Sequence, residues 1–187
     1  IGDTNHFVDE QKSLWTQHIG RMKILEQLLD AGYTIFYSNL FGANWGSEKA
    51  IEYSQQLYHV VLKQEILNQR IHILAEGMGA LVALQLMEKM SGNIRSVAFI
   101  NPCLDLHAHW NQEKERKFFF KKLLKELLDA HEVNKDEIEH LLKKNRKLND
   151  LINTPVKIWQ TTTNFSYNPN LHCKVYEEWR RKDRKSV

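Results

Sequence analysis

The features that the sequence lacks narrow the class of protein that it can encode. None of its apolar runs approaches the roughly 20 residues that a membrane-spanning helix needs, and the opening stretch IGDTNHFVDE is too polar for a secretory signal. It has only two cysteines, Cys103 and Cys173, and their separation fits neither a metal-binding nor a redox motif. These absences favour a chain with reduced thiols, and we expect it in the cytoplasm.

A large excess of charge of one sign is also missing. The 187 residues carry 26 Lys and Arg against 23 Asp and Glu, a formal net charge of +3. The basic residues concentrate in 114–128 and 180–186, which we interpret as the solvated face of an amphipathic helix and a polar tail. A nucleic-acid-binding stripe should be more one-sided in sign, so no nucleic acid is expected as a partner.

The pattern of apolar residues indicates alternating helices and strands. Aromatic and β-branched runs predict strands, and apolar residues at helical spacing predict the segments between them. The expected strands are 33–40, 70–75, 95–101 and 154–160; the expected helices are 13–30, 48–68, 79–90, 112–130, 134–148 and 171–183. This alternation predicts an α/β fold with a doubly wound, mostly parallel sheet.

No strand is expected between 105 and 151, where most of the charge lies. The sequence therefore predicts an α/β core formed by 1–104 and 152–187, interrupted by a helical insertion at 105–151. Asn134, with Glu137 three residues later, matches a capping box at the start of the second helix of this insertion.

One short stretch bears directly on function. The strand ending near Ala75 is followed by Glu76-Gly77-Met78-Gly79, and a helix is predicted at once. Hydrolases that place a serine on such a strand–helix turn read glycine–any–serine–any–glycine. Here Gly77 occupies the serine position, so the turn offers no hydroxyl.

Four segments in order resemble the α/β-hydrolase family. They are the strand and loop AGYTIFYSNLFGANWGS, the strand, turn and helix IHILAEGMGALVALQL, the strand IRSVAFINPCLDL and the later strand INTPVKIWQTTTN. The resemblance covers 13–164, and the insertion falls where this family places its lid.

The resemblance also implies where catalytic groups would lie. The nucleophile position is Gly77, and the acid position falls near Asn164, an amide in place of a carboxylate. The N–H of Met78 would supply an oxyanion-type donor, and the upstream oxyanion loop would lie around 1–5. A histidine is expected on a loop after a further strand, and the sequence contains none in that place.

Three functions remain open on these grounds. The first is an α/β-hydrolase-like protein without an intact triad, binding an apolar small molecule or a protein partner. The second is a serine acyl-hydrolase of esterase or thioesterase type, represented by an altered or shortened chain. The third is a structural or interaction domain without a ligand, since one scaffold hosts many functions.

Pocket candidates are Glu76, beside the turn, and the aromatic run Phe118, Phe119 and Phe120, which cannot all face one side of a helix. His107 and His109 form a His-x-His pair without an evident third ligand. Neither a metal nor a cofactor is expected.

Overall fold

A small parallel sheet forms the centre of the molecule. The computed structural model describes residues 1–144, 153–163 and 165–183. Within these ranges three strands, β1 (Ile71–Glu76), β2 (Ile94–Ile100) and β3 (Val156–Trp159), pair in parallel in the order β1-β2-β3. The predictions of a mixed α/β fold and of parallel pairing among these strands are confirmed.

Helices occupy most of the remaining described chain. They are α1 (Leu14–Gln17), α2 (Ile19–Asp30), α3 (Glu48–Gln64), α4 (Gly79–Lys89), α5 (Leu106–Glu113), α6 (Lys117–His131), α7 (Ile138–Lys144) and α8 (Cys173–Asp183), with a 3₁₀ turn at Lys135–Glu137. The single helix predicted over 13–30 is broken at His18, whose extended backbone (ψ 115°) ends α1. The His18 imidazole then caps α2 by accepting the N–H of Arg21 at 3.4 Å. In the described ranges, no helix is long and apolar enough to span a bilayer.

The first hydrophobic core lies between the sheet and α4. Ala75 of β1 and Phe99 of β2 are fully buried, and they pack with the small side chains Ala80, Val82 and Ala83. Small residues allow α4 to approach the sheet closely. This helix is apolar on most sides because most of its residues are buried. The close packing fixes the turn that joins β1 to α4.

The expectation of a strand at 33–40 is wrong. This segment has no regular structure, although the ring of Tyr33 meets His72 of β1 edge to face at 5.7 Å. The free edge of β1 is instead approached by the first residue, since Glu76 donates its N–H to the carbonyl of Ile1 at 2.9 Å. A strand needs a hydrogen-bonded neighbour, and residues 33–40 have none among the described residues.

The insertion is helical as far as it is described. Residues 105–144 contain α5, α6, the 3₁₀ turn and α7, with the predicted capping box at Asn134 and Glu137. Its buried side chains form a second core with residues that directly follow the carboxyl ends of β1 and β2. The members from the insertion are Leu106, Trp110, Leu123, Leu127, Ile138 and Leu142; those following the strands are Met78 and Cys103. Residues 145–151 lie outside the described residues.

Candidate functional site at the turn after β1

The turn after β1 has the backbone geometry predicted for it. Gly77 lies between β1 and α4 with φ +53°, a left-handed conformation that glycine adopts without steric cost. Its N–H donates to the carbonyl of Ile100 at 3.0 Å, and its own carbonyl accepts the N–H of Cys103 at 2.9 Å. The turn is therefore tied on both sides to the end of β2 and the loop after it.

A carboxylate of the same chain occupies the space over this turn. A Cβ built on Gly77 would lie 2.1 Å from Cγ of Asp3, well inside van der Waals contact. Asp3 Oδ1 accepts the backbone N–H of Met78 at 2.9 Å and the hydroxyl of Tyr167 at 2.7 Å. The oxyanion-type donor expected at Met78 is thus engaged with an internal anion.

Four rings surround this contact and form what we call the ring cluster: Trp45, His109, Tyr167 and His172. The ring centroids of His109 lie 5.3 Å from Trp45, 5.0 Å from Tyr167 and 6.3 Å from His172. Each of the four is at most 7% exposed. Helix α5 and the loops that supply the other three rings are thereby packed together beside the turn.

The electrostatics of the ring cluster follow from burial. Burial, and to a smaller extent the Asp3 carboxylate, raises the pKa of Tyr167, so its hydroxyl keeps the proton that it donates to Asp3. Burial lowers the pKa of His172 to about 4, although the Asp105 carboxylate acts in the opposite direction. The pKa of His109 is lowered to about 4 by burial first and then by His172 and Arg116. Both imidazoles are neutral at pH 7.

The hydrogen bonds of His172 fix its tautomer. Its Nδ1 lies 3.3 Å from the backbone nitrogens of both Leu104 and Asp105, and backbone N–H groups can only donate. Nδ1 therefore carries the lone pair and Nε2 carries the proton. A histidine that activates a serine needs the reverse arrangement, with Nδ1–H held by a carboxylate and Nε2 free to accept. His172 holds the loop after β2 in place and is not set up as a base.

Glu76 is held by an ion pair on the other side of the turn. Its Oε1 binds the guanidinium of Arg21 from α2, and its side chain is only 14% exposed. The contact ties α2 to the end of β1. The position of Glu76 thus serves to join these two elements, and it lines no described cleft.

The aromatic run divides between core and solvent. Phe120 packs against Trp110 in the second core, with ring centroids 4.6 Å apart. Phe118 and Phe119 are 76% and 55% exposed. The acid position Asn164 lies outside the described residues.

The His-x-His pair points in different directions. His109 belongs to the ring cluster, whereas Nδ1 of His107 lies 3.3 Å from the side-chain amide of Asn111 on the same helix. Across the described ranges, no group of three or more His, Cys, Asp or Glu side chains is arranged to hold a metal ion.

A surface cleft of about 470 Å³ lies away from the turn, between α3, α4 and the end of α6. Its charged and polar lining consists of Glu48, Lys49, Gln85, Glu88, His131 and Glu132. Such a lining suits a polar solute better than an apolar one.

Comparisons with protein-family profiles, with curated protein sequences and with solved structures found no match to this chain. The interpretation of the site therefore rests on its own geometry.

Sequence reasoning placed the oxyanion loop around 1–5 but missed Asp3 itself, as well as Tyr167 and His172. Asp3 and Tyr167 are 164 positions apart, and no periodic pattern connects them. The available signal was a carboxylate inside the segment expected beside the turn. Together with the glycine at position 77, that carboxylate could have suggested that a side chain of the same protein fills the space over the turn.

Proposed function

We propose that this chain is an α/β-hydrolase-like protein, with a doubly wound core and a helical lid, that acts by binding and not by hydrolysis. The parallel pairing of three strands, the positive φ of Gly77 and the helical segment between β2 and β3 support the likeness. The chemistry of the turn supports the absence of catalysis.

The observation that carries the proposal is the position of Asp3. In a serine hydrolase, the space beside the turn must admit a hydroxyl and an acyl carbonyl, and the backbone N–H must bind the developing oxyanion. Here the carboxylate of Asp3 fills that space and takes the N–H of Met78. A negatively charged occupant also repels a second anion, so an acyl oxyanion has neither room nor favourable charge.

A serine acyl-hydrolase, represented by an altered chain, is the alternative. It needs a base beside the turn, and two described imidazoles, His109 and His172, contact Tyr167, with ring centroids 5.0 and 5.9 Å away. Within the described residues Nδ1 of His109 has no hydrogen-bond partner, so no carboxylate orients this ring as a base. Because Nδ1 of His172 accepts two backbone N–H groups, its Nε2 is protonated and cannot accept a proton from serine. The geometry therefore favours the binding role.

The candidate partners are an apolar small molecule and a protein. The charged cleft beside α3 does not match an apolar ligand. The exposed Phe118 and Phe119 of α6 favour a partner with an extended surface instead. Binding through this surface leaves the turn at Gly77 free of any catalytic requirement.

Steady-state hydrolysis of short p-nitrophenyl acyl esters tests the proposal. Wild-type protein and the Asp3→Ala variant, which opens the space over the turn, should both show rates equal to that of buffer. Turnover by the wild-type protein at a rate proportional to protein concentration would overturn the proposal.

A further inference from the structure

The start of α6 exposes two adjacent aromatic side chains that the fold does not use. Phe118 and Phe119 are 76% and 55% exposed, and their ring centroids lie 5.6 Å apart. The same helix is anchored in the second core by Leu123 and Leu127, which are 3% and 0% exposed. Packing therefore does not explain the two phenylalanines.

Cations surround these rings. Between 114 and 125 the exposed charged residues are Lys114, Arg116, Lys117, Lys121, Lys122 and Lys125, with Glu115 as the single acidic member of that group. Lys121, Lys122 and Lys125 lie three, four and seven positions after Phe118, which places them on its face of the helix. Charge and apolar area are thus combined on one side.

Several of these cations have no counter-ion. Lys117, Lys121 and Lys125 form no ion pair with a described residue, whereas Arg116 and Lys122 lie 3.8 and 3.6 Å from carboxylates on the same stretch of chain. We call Lys117, Phe118, Phe119, Lys121 and Lys125 the α6 patch. The three lysines give the α6 patch a positive charge, which favours an anionic partner.

The shape of the α6 patch selects among anionic partners. The two rings meet at 85°, edge to face, so they do not offer parallel faces on which successive bases could stack. Both rings are largely exposed and neither lines the cleft beside α3, α4 and the end of α6, so the pair projects outward into solvent. A projecting apolar pair surrounded by lysines matches an interfacial helix, whose rings enter the acyl boundary while the lysines reach the headgroups.

We propose that the α6 patch docks this protein peripherally on an anionic lipid bilayer. Phe118 and Phe119 insert at the headgroup boundary, and Lys117, Lys121 and Lys125 contact acidic headgroups. The inference deepens the binding role proposed above by naming the partner, but it does not depend on the chemistry at Gly77.

Vesicle co-sedimentation of the full chain tests this inference. Vesicles of phosphatidylcholine alone should leave the protein in the supernatant, and vesicles with one third phosphatidylserine should pellet it. Raising the salt from low concentration to about 0.15 M should weaken binding, because screening shortens the range of the attraction.

Variants distinguish the contribution of the lysines to vesicle binding from that of the two phenylalanines. In the double variant Lys121→Gln/Lys125→Gln, each lost lysine should lower the partition coefficient between vesicles and water about fivefold. Phe118→Ser/Phe119→Ser should lower it by about tenfold or more, since apolar insertion is lost. The matched controls are Ile66→Ser, which removes a fully exposed apolar side chain elsewhere, and Lys23→Gln/Lys63→Gln, which removes two exposed charges from α2 and α3.

Both control variants should pellet like the wild type, and circular dichroism should show every variant folded. Three results would overturn the inference: no pelleting with acidic vesicles, equal pelleting with neutral ones, or unchanged pelleting of the α6 patch variants. Binding of a single-stranded oligonucleotide through the same lysines, without vesicle binding, would assign the patch to nucleic acid instead. Ester hydrolysis is measured without vesicles, so failure of this inference and failure of the non-catalytic role are distinguishable.

Discussion

At the scale of single residues, the contact between Asp3 and Gly77 determines what the turn can do. Glycine is required there twice, because φ is positive and because Asp3 leaves no space for a Cβ. The carboxylate is held in turn by Met78 and Tyr167. The backbone donor that a hydrolase would keep for substrate is thereby engaged by the chain's own side chain.

Gly77→Ala should destabilise the protein by about 3 kcal/mol. Roughly 1 kcal/mol comes from the left-handed backbone, and the rest from displacing a charged group that accepts two hydrogen bonds. In an Asp3→Ala background the same change should cost only about 1 kcal/mol, because the clash is gone. Urea denaturation of the four members of this cycle measures the difference.

Gly32→Ala is the matched control for that cycle. Gly32 also has positive φ, +84°, but nothing lies within 4 Å of an added Cβ. Its substitution should cost about 1 kcal/mol in either background. Equal costs for Gly77→Ala with and without Asp3 would show that the carboxylate does not occupy the turn.

Buried neutral histidines should make stability depend on pH. The pKa values of His6, His109 and His172 fall from 6.5 to about 4 on folding, mainly through burial. Between these values the unfolded chain binds protons that the folded chain does not, so the free energy of unfolding decreases as pH falls from 6.5 to 4. The loss is complete below the folded pKa.

His172→Gln should reduce this dependence while its amide oxygen can still accept the two backbone N–H groups. One histidine changes the free energy of unfolding by at most about 1.4 kcal/mol per pH unit. For each pH unit of acidification, the free energy of unfolding of the variant should therefore fall by up to that amount less than that of the wild type. Urea titrations at pH 7, 6 and 5 compare the slopes. Parallel curves for the two proteins would mean that folding does not lower the pKa of His172.

Among the secondary-structure elements, sequence reasoning located those that have a clear local pattern of apolar residues. The apolar segments around β1, β2 and β3 and the helical periodicity of α3, α4 and α6 were sufficient to locate them. The segment 33–40 has equally strong β-propensity, yet strand formation depends on a partner, and propensity does not report whether one exists. The break at His18 likewise depends on a cap formed by a side chain in the folded structure.

The candidate site was less accessible to prediction than the elements. The glycine at 77, its turn and the donor at Met78 could be inferred from a short motif. Asp3 lies in the segment expected beside the turn, but its contact with Tyr167, and that of Tyr167 with His172, could not be inferred, because these contacts form only through tertiary packing. Contacts of this kind leave no periodicity in a single sequence.

Hydrogen exchange should distinguish 33–40 from the true strands. The described backbone bonds include none from the amides of 34–39 to another strand, whereas β1 forms a hydrogen-bonded parallel ladder with β2. Peptides covering 34–39 should therefore exchange within seconds, and those covering β1 should remain protected for much longer. Comparable protection in both segments would show that 33–40 pairs as a strand.

At the scale of the whole molecule, two cores meet at the turn. The first joins the sheet to α4, and the second joins the helical insertion to Met78 and Cys103. The turn is therefore covered by the insertion on one side and by Asp3 on the other. The exposed α6 patch belongs to that same insertion, and the proposed binding surface is therefore separate from the turn.

Restoring the missing hydroxyl tests whether the turn at Gly77 can support ester hydrolysis. Turnover of p-nitrophenyl butyrate is measured for wild type, Gly77→Ser and Gly77→Ser/Asp3→Gly, the last of which removes the carboxylate that blocks the turn. The account expects all three to match the uncatalysed rate, because His172 holds its proton on Nε2 and cannot activate the serine. A rate for the double variant at least about tenfold above wild type, with a burst of released nitrophenol, would contradict it.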